Sequence, residues 1–228
     1  MLPLLFPAMG AAAQTRPASD FQQWTHVDLT YEADSRLKLT AFGEARVGND
    51  VSHLYEERVG AEITYSPWHW LSTGPGYLYA HADPDFTGRS HENRAYADLT
   101  FQSPKLHGFL LHDRARGELR WLQRPTGSDL TRRFRNRLRL ERPIQTGSRK
   151  YTPYVMWEKF YDSAVDAWSR TRYYAGLGVP VGGRASAELY SLHQDDRFSR
   201  PFDTNVIGAN LTFLLREARS GRPGERSR

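Results

Sequence analysis

The residues best able to do chemistry in this chain are arginines and carboxylates at two-residue spacing. Arg133, Arg135, Arg137, Arg139 and Glu141 share one parity, and Arg114, Arg116, Glu118 and Arg120 share another. Side chains of a strand alternate between faces with period two, so each set forms a ladder of charge along one face. Such a ladder can line an anion-attracting passage or close on itself as an ion-pair network. Nucleophilic chemistry has fewer parts: His112, Asp113, Ser191, His193 and Asp195 are candidate members of a triad. No Gly-x-Ser-x-Gly elbow is present, and Asp113 falls on the face opposite His112. His81 with Asp83 and Asp85, and His193 with Asp195 and Asp196, are candidate hard-cation ligands, but neither set has the ligand count or spacing of a calcium loop. No catalytic residue, metal or cofactor is expected.

The elements that must position these ladders are strands. After a polar leader, 14–22, about eleven segments alternate: 23–32, 37–47, 55–66, 70–81, 91–101, 108–121, 132–142, 150–160, 170–180, 185–194 and 204–215. Most approach the nine to eleven residues that a tilted strand needs to cross a bilayer. Their connections alternate in length. Those around 33–36, 67–69, 103–107, 143–149 and 181–184 are mostly short; those around 48–54, 82–90, 122–131, 161–169 and 195–203 are generally longer. A meander with two unlike ends is the plan of a membrane barrel with short periplasmic turns and long outer loops. The predicted fold is all-β, an antiparallel up-and-down transmembrane β-barrel of 10–12 strands, twelve slightly favoured because bacterial barrels are even-stranded. Eleven segments would start the first strand outside, so that preference requires a missed strand or one segment that is no barrel strand.

One face collects Glu44, Arg46, Arg58, Glu62, Arg94, Asp98, Arg114, Arg116, Glu118, Arg135, Arg137, Arg139, Glu141, Glu158, Arg172 and Glu188. The other is mainly Ala, Gly, Val and Leu with aromatics toward the strand ends. Tyr31, Tyr65, Phe101, Phe109 and Tyr151 lie toward the short turns, and Tyr55, Trp121, Phe134, Trp157 and Tyr173 toward the long loops. Two girdles of this kind mark the interfaces of a membrane barrel. Small aliphatics between them suit lipid and would fill a lumen poorly. Mixed charge in a narrow lumen can pair with itself. Alternation alone leaves a second reading open, a soluble secreted or periplasmic barrel binding an apolar ligand, and the partial triad leaves a third, an outer-membrane lipid hydrolase.

Composition agrees with one β-domain of 228 residues. Charged residues are 25% of the chain and mean hydropathy is −0.66, too polar for helical spans, whereas a barrel strand meets lipid only at alternate positions. There is no cysteine, which removes disulfides and thiolate chemistry. Residues 1–13 are uncharged and end in Ala11-Ala12-Ala13, which reads as a signal peptide without the usual basic start. The net charge of +5 owes much to a basic tail, 216–228, with five Arg and two Glu, which reads as a solvated extension and not a nucleic-acid site. The expected partners are outer-membrane lipid and small anionic solutes, with no nucleic acid.

Read together, several segments resemble a family of Gram-negative outer-membrane barrels, domain-of-unknown-function family 2490. They are Phe21-Gln-Gln-Trp24, the Glu44 and Arg46 strand, His91-Glu-Asn-Arg94, Arg114, Arg116 and Glu118, the arginine strand ending at Glu141, Trp157-Glu-Lys-Phe160, the Arg172 strand into Gly176 and Gly178, and Leu189 to Gln194. Arg-x-Arg on a strand is common, so the match lies in the order of the motifs. The resemblance implies an outer-membrane location and a barrel fold and carries no activity. One departure is the tail after Leu215, which leaves Phe213 as an internal counterpart of the terminal aromatic that such barrels commonly use for assembly.

Overall fold

The computed structural model describes residues 18–84 and 88–216, so the signal segment 1–13, residues 14–17 of the leader, Asp85 and the tail beyond Arg216 lie outside the described residues. Its strands are β1 (Ser19–Glu32), β2 (Leu37–Gly48), β3 (His53–Trp68), β4 (Leu71–Ala82), β5 (Ser90–Gln102), β6 (Leu110–Arg124), β7 (Gly127–Glu141), β8 (Ile144–Thr146), β9 (Arg149–Asp162), β10 (Ala167–Pro180), β11 (Ala185–Asp196) and β12 (Asp203–Arg216). Eleven of them close a barrel, and β8 stands outside it, paired only with the start of β9. Barrel neighbours are antiparallel except at the seam, where β1 and β12 pair in parallel from Ser19 opposite Asp203 to Tyr31 opposite Arg216.

The parallel seam follows from parity. Successive strands of a meander reverse direction, so the first and last of an odd set point the same way and can close only in parallel. Eleven lies within the expected ten to twelve; the even count favoured there gives way to this seam, and the further strand among the described residues, β8, lies outside the barrel. β1 also starts earlier than expected, taking Ser19 to Gln22 from the predicted leader.

Two connections differ from expectation. The segment 122–131 is mostly strand, because β6 and β7 extend to a two-residue turn at Pro125 and Thr126. The predicted short turn at 143–149 contains the β8 hairpin. The β2–β3 turn is held from outside: Asp20 of β1 accepts hydrogen bonds from the backbone N–H of Asn49 at 3.3 Å and of Asp50 at 3.0 Å. That contact ties the start of β1 to the loop end of the barrel.

Exposure decides which face is inside. Glu158 is 0% exposed, Glu118 3% and Arg94 4%, while Leu189 is 62% exposed, Val59 59% and Val155 55%. Charge is buried and aliphatic surface is outside, the inverse of a water-soluble fold. A continuous apolar band of this kind suits lipid, and it removes the soluble alternative with a lumen of Val, Leu and Tyr.

Aromatic rings fill the lumen beside the charges by lying on glycines of the next strand. Phe42 faces Gly60, Tyr96 faces Gly76, Tyr154 faces Gly176 and Tyr190 faces Gly208 in direct register. A Cβ at Gly208 would stand 2.1 Å from the Tyr190 ring, and one at Gly76 2.2 Å from Tyr96. Glycine here makes room for a large neighbour. Trp24, Tyr154, Tyr190, Leu192 and Val206 form one apolar cluster along the seam side, and Leu78, Ala80 and Tyr96 a second across the barrel.

Candidate functional site, the lumen network

A cavity of about 340 Å³ is lined by side chains from all eleven barrel strands, among them Trp24, Phe42, Arg58, Leu78, Arg94, Arg114, Arg135, Tyr154, Arg172, Glu188 and Asn210, which identifies it as the lumen. Smaller spaces of about 220 and 210 Å³ adjoin it toward the loop end and the turn end.

The ion pairs form tiers. Toward the loops, Glu92 accepts from Arg94 at 2.7 Å and from both arms of Arg120 at 2.7 and 2.6 Å. Arg120 and Arg133 converge on Asp162 at 3.3 and 2.6 Å, and Arg170 pairs with Asp196 at 2.8 Å. At mid-lumen Glu158 meets Arg135 at 2.7 Å, Arg114 at 3.3 Å and Arg172 at 3.6 Å, while Glu118 meets Arg135 at 3.0 Å and Arg94 at 3.5 Å. Beside them, Glu44 and Glu56 are shared between Arg46 and Arg58 at 2.7 to 3.3 Å, and Asp98 binds both arms of Arg116. Toward the turns Arg139 holds Glu188 at 2.6 Å and Glu141 at 2.9 Å, with His112 3.5 Å from Glu141. Sharing each carboxylate among several guanidinium groups compensates for burying the charges.

Several guanidinium groups also lie over rings: Arg46 over Trp24 at 3.7 Å, Arg116 over Tyr96 and Arg139 over Tyr154 at 3.8 Å. A ring that fits against a glycine is held flat enough to carry a cation on its face.

Of the sixteen charged residues expected in the lumen from parity, twelve line the central cavity, Asp98 lines the turn-side space, and Glu118, Glu141 and Glu158 are ion-paired with arginines that line the cavity. Arg137 lines the cavity but makes no hydrogen bond among the described residues. Parity missed other members. Glu92 and Asp162 share faces with Arg94 and Glu158 and were legible in the alternation. Glu56 and Arg170 stand beside register shifts, between Arg46 and Val47 on the β2 side and between Trp168 and Arg170. The first shift also corrects Tyr55. It was assigned to the outer girdle, but the bulge turns it inward, where its hydroxyl donates to Gln22 Oε1 at 2.8 Å.

The other nine girdle aromatics stay on the outer parity, with Phe101, Phe109, Trp121, Phe134, Tyr65 and Tyr173 each 40% exposed or more. At the loop end Phe134 and Tyr161 meet Trp168 edge-on, and at the turn end Trp68, Trp70 and Phe101 stack in series.

The partial triads do not assemble. His112 faces the lumen beside Glu141, whereas Asp113 faces outward and accepts from Asn136 at 2.7 Å. His193 is on the outer surface with both ring nitrogens engaged, by Asp195 at 2.9 Å and Asn205 at 3.0 Å, which leaves neither for Ser191. Asp203 joins this group, with ligand atoms of the three within 4.8 Å. Asp196, considered with His193 for a cation, instead points into the lumen toward Arg170.

A family model described as a protein of unknown function, DUF2490, matches residues 21–205. This chain belongs to that family. An uncharacterized protein of Methylorubrum extorquens, MexAM1_META1p0181, is 24% identical over 215 residues, covering 91% of this chain and 90% of the relative. Among solved structures, LpxR from Salmonella typhimurium aligns with a TM-score of 0.50 at 8% identity, over 77% of this chain and 83% of that one. The β domain of the Bordetella autotransporter BrkA aligns with a TM-score of 0.45 at 14% identity, over 75% and 81%. At 8% identity the likeness to LpxR is one of fold alone.

Proposed function

We propose that this family member resides in the outer membrane of a Gram-negative bacterium as a barrel whose lumen is closed by its own Arg/Glu network, with a structural or narrow-pore role and no catalysis. The observation that carries this reading is Glu158, wholly buried at mid-lumen and shared by guanidinium groups from β6, β7 and β10. Eight strands leave room only for side chains and sixteen leave a wide channel. Eleven strands carrying this many arginines and tyrosines belong nearer the first case. Engagement of both His193 nitrogens supports the non-catalytic part of the reading.

The test has two steps. The expressed protein should fractionate with sarkosyl-insoluble outer membrane and shift in gel mobility on boiling. In planar bilayers the folded form should then give no steps of general-porin size. Large, ohmic steps would overturn closure, and recovery as a detergent-independent periplasmic protein would overturn the membrane assignment.

A further inference from the structure

On one part of the lumen wall arginines of neighbouring strands stand side by side. Register places Arg114 of β6 directly opposite Arg137 of β7, and Arg116 opposite Arg135. Like charges directly opposite on one face of a sheet repel. Two of the four are satisfied: Asp98 takes both arms of Arg116, and Arg135 reaches both Glu118 and Glu158. Arg114 reaches Glu158 Oε1 at 3.3 Å, an atom it shares with Arg135, and Asp98 at 3.9 Å, which Arg116 already holds with both arms, and its Nε is buried with no hydrogen-bond partner. Arg137 stands directly opposite Glu158 of β9, yet among the described residues it makes no hydrogen bond and has no carboxylate oxygen within 4.0 Å.

The other acids nearby are already engaged. Both oxygens of Glu188 are held by Arg139, and Glu62 accepts from the Tyr96 hydroxyl. Arg114 and Arg137 are also the two cations that line both the central cavity and the turn-side space, together with the carboxylate of Glu62.

We propose that Arg114 and Arg137 form a binding site for a small oxyanion bearing a phosphate or carboxylate group. Two guanidinium forks facing one space present the planar donor arrays that such groups accept, and the bound charge would relieve the Arg–Arg repulsion. A phosphate could arrive as the free ion or on a lipid headgroup entering at the turn end. The inference rests on the closed-lumen reading only for the fate of the anion: in a closed barrel it is a bound ligand, and in an open one it is a stage in permeation.

The test is calorimetric titration of inorganic phosphate into the full folded chain in nonionic detergent, with heat-shifted gel mobility confirming the fold of every variant. One saturable site is expected, weakened at least tenfold in R137Q and in R114Q. It should be unchanged in R142Q, whose guanidinium lies outside the lumen over Phe109. No saturable heat with folded parent protein, or phosphate binding by R137Q as tight as the parent's, would overturn the site. A parallel titration with monomeric short-chain phosphatidic acid separates the sources. Tighter binding than inorganic phosphate identifies lipid phosphate, and equal or weaker binding identifies the free anion. Planar-bilayer conductance reports on closure independently.

Discussion

Glu158 holds more guanidinium groups than any other carboxylate at mid-lumen, which makes it the residue whose loss should be felt most. Replacing it with Gln leaves Arg114, Arg135 and Arg172 with uncompensated buried charge. Removing one partner of a buried pair costs about 3–5 kcal/mol. E158Q should therefore lower the urea midpoint of the heat-modifiable form far more than E141L, since Glu141 is partly exposed and meets only Arg139 and His112. An equal effect of the two substitutions would show that the network has no centre. Gly208 offers a second test. Tyr190 is packed with Trp24, Leu192 and Val206 and cannot yield freely to a new Cβ. G208A should cost about 1–3 kcal/mol as overpacking. G117A has open space around its Cβ position and should stay within about 0.5 kcal/mol. Denaturant midpoints of the two variants check both expectations.

At the scale of the strand, the outer face must tolerate lipid along its whole middle. Leu138 is the obvious site for an inserted charge, since it lies on the outer parity of the arginine strand. The register places Asp113 directly opposite it, so an arginine there could find a partner. Leu189 sits between Leu177 and Ala209 with no acid beside it. L189R should therefore cost about 2–4 kcal/mol if the position is near the bilayer midplane, and L138R less. Folding titrations into lipid vesicles would compare them, and an L189R barrel that inserts as well as the parent would mean that the outer face is misassigned. Strands also show where alternation stops being a guide. It assigned the sixteen charged residues to the lumen because period two holds through most of each strand. It misplaced Tyr55 because one extra residue in a bulge turns that side chain inward, whereas Glu56 and Arg170 keep the parity of Arg58 and Arg172 and were legible in the alternation.

For the whole molecule, an odd strand count has a topological consequence. Ala18 lies at the loop end, where its carbonyl accepts from the backbone N–H groups of Phe202 and Asp203, while β12 ends at Arg216 beside the short turns. The two ends of the described chain are thus at opposite ends of the barrel. The chain has no cysteine, so single cysteines report without background. With the long loops outward, S52C and A18C should react with a membrane-impermeant maleimide on intact cells, and R184C and R216C only after lysis. Labelling of A18C and R216C from the same side would refute the parallel seam.

What the sequence determined by itself was the two-faced strand: which residues share a side, how many segments there are, and that the apolar side is too poor in bulk to fill a core. These are local properties, carried by period two and by the contrast between charged and aliphatic positions. Only the tertiary structure decided how the barrel closes and which charges meet. Closure depends on whether the first and last strands run the same way, a property of the complete ring. Glu158 lies between Arg114 and Arg172 because β6, β7, β9 and β10 take one particular stagger, and no spacing within a single strand encodes its neighbour's register. The same stagger sets Arg114 against Arg137, so the charge left over in the lumen becomes visible only when the strands stand side by side.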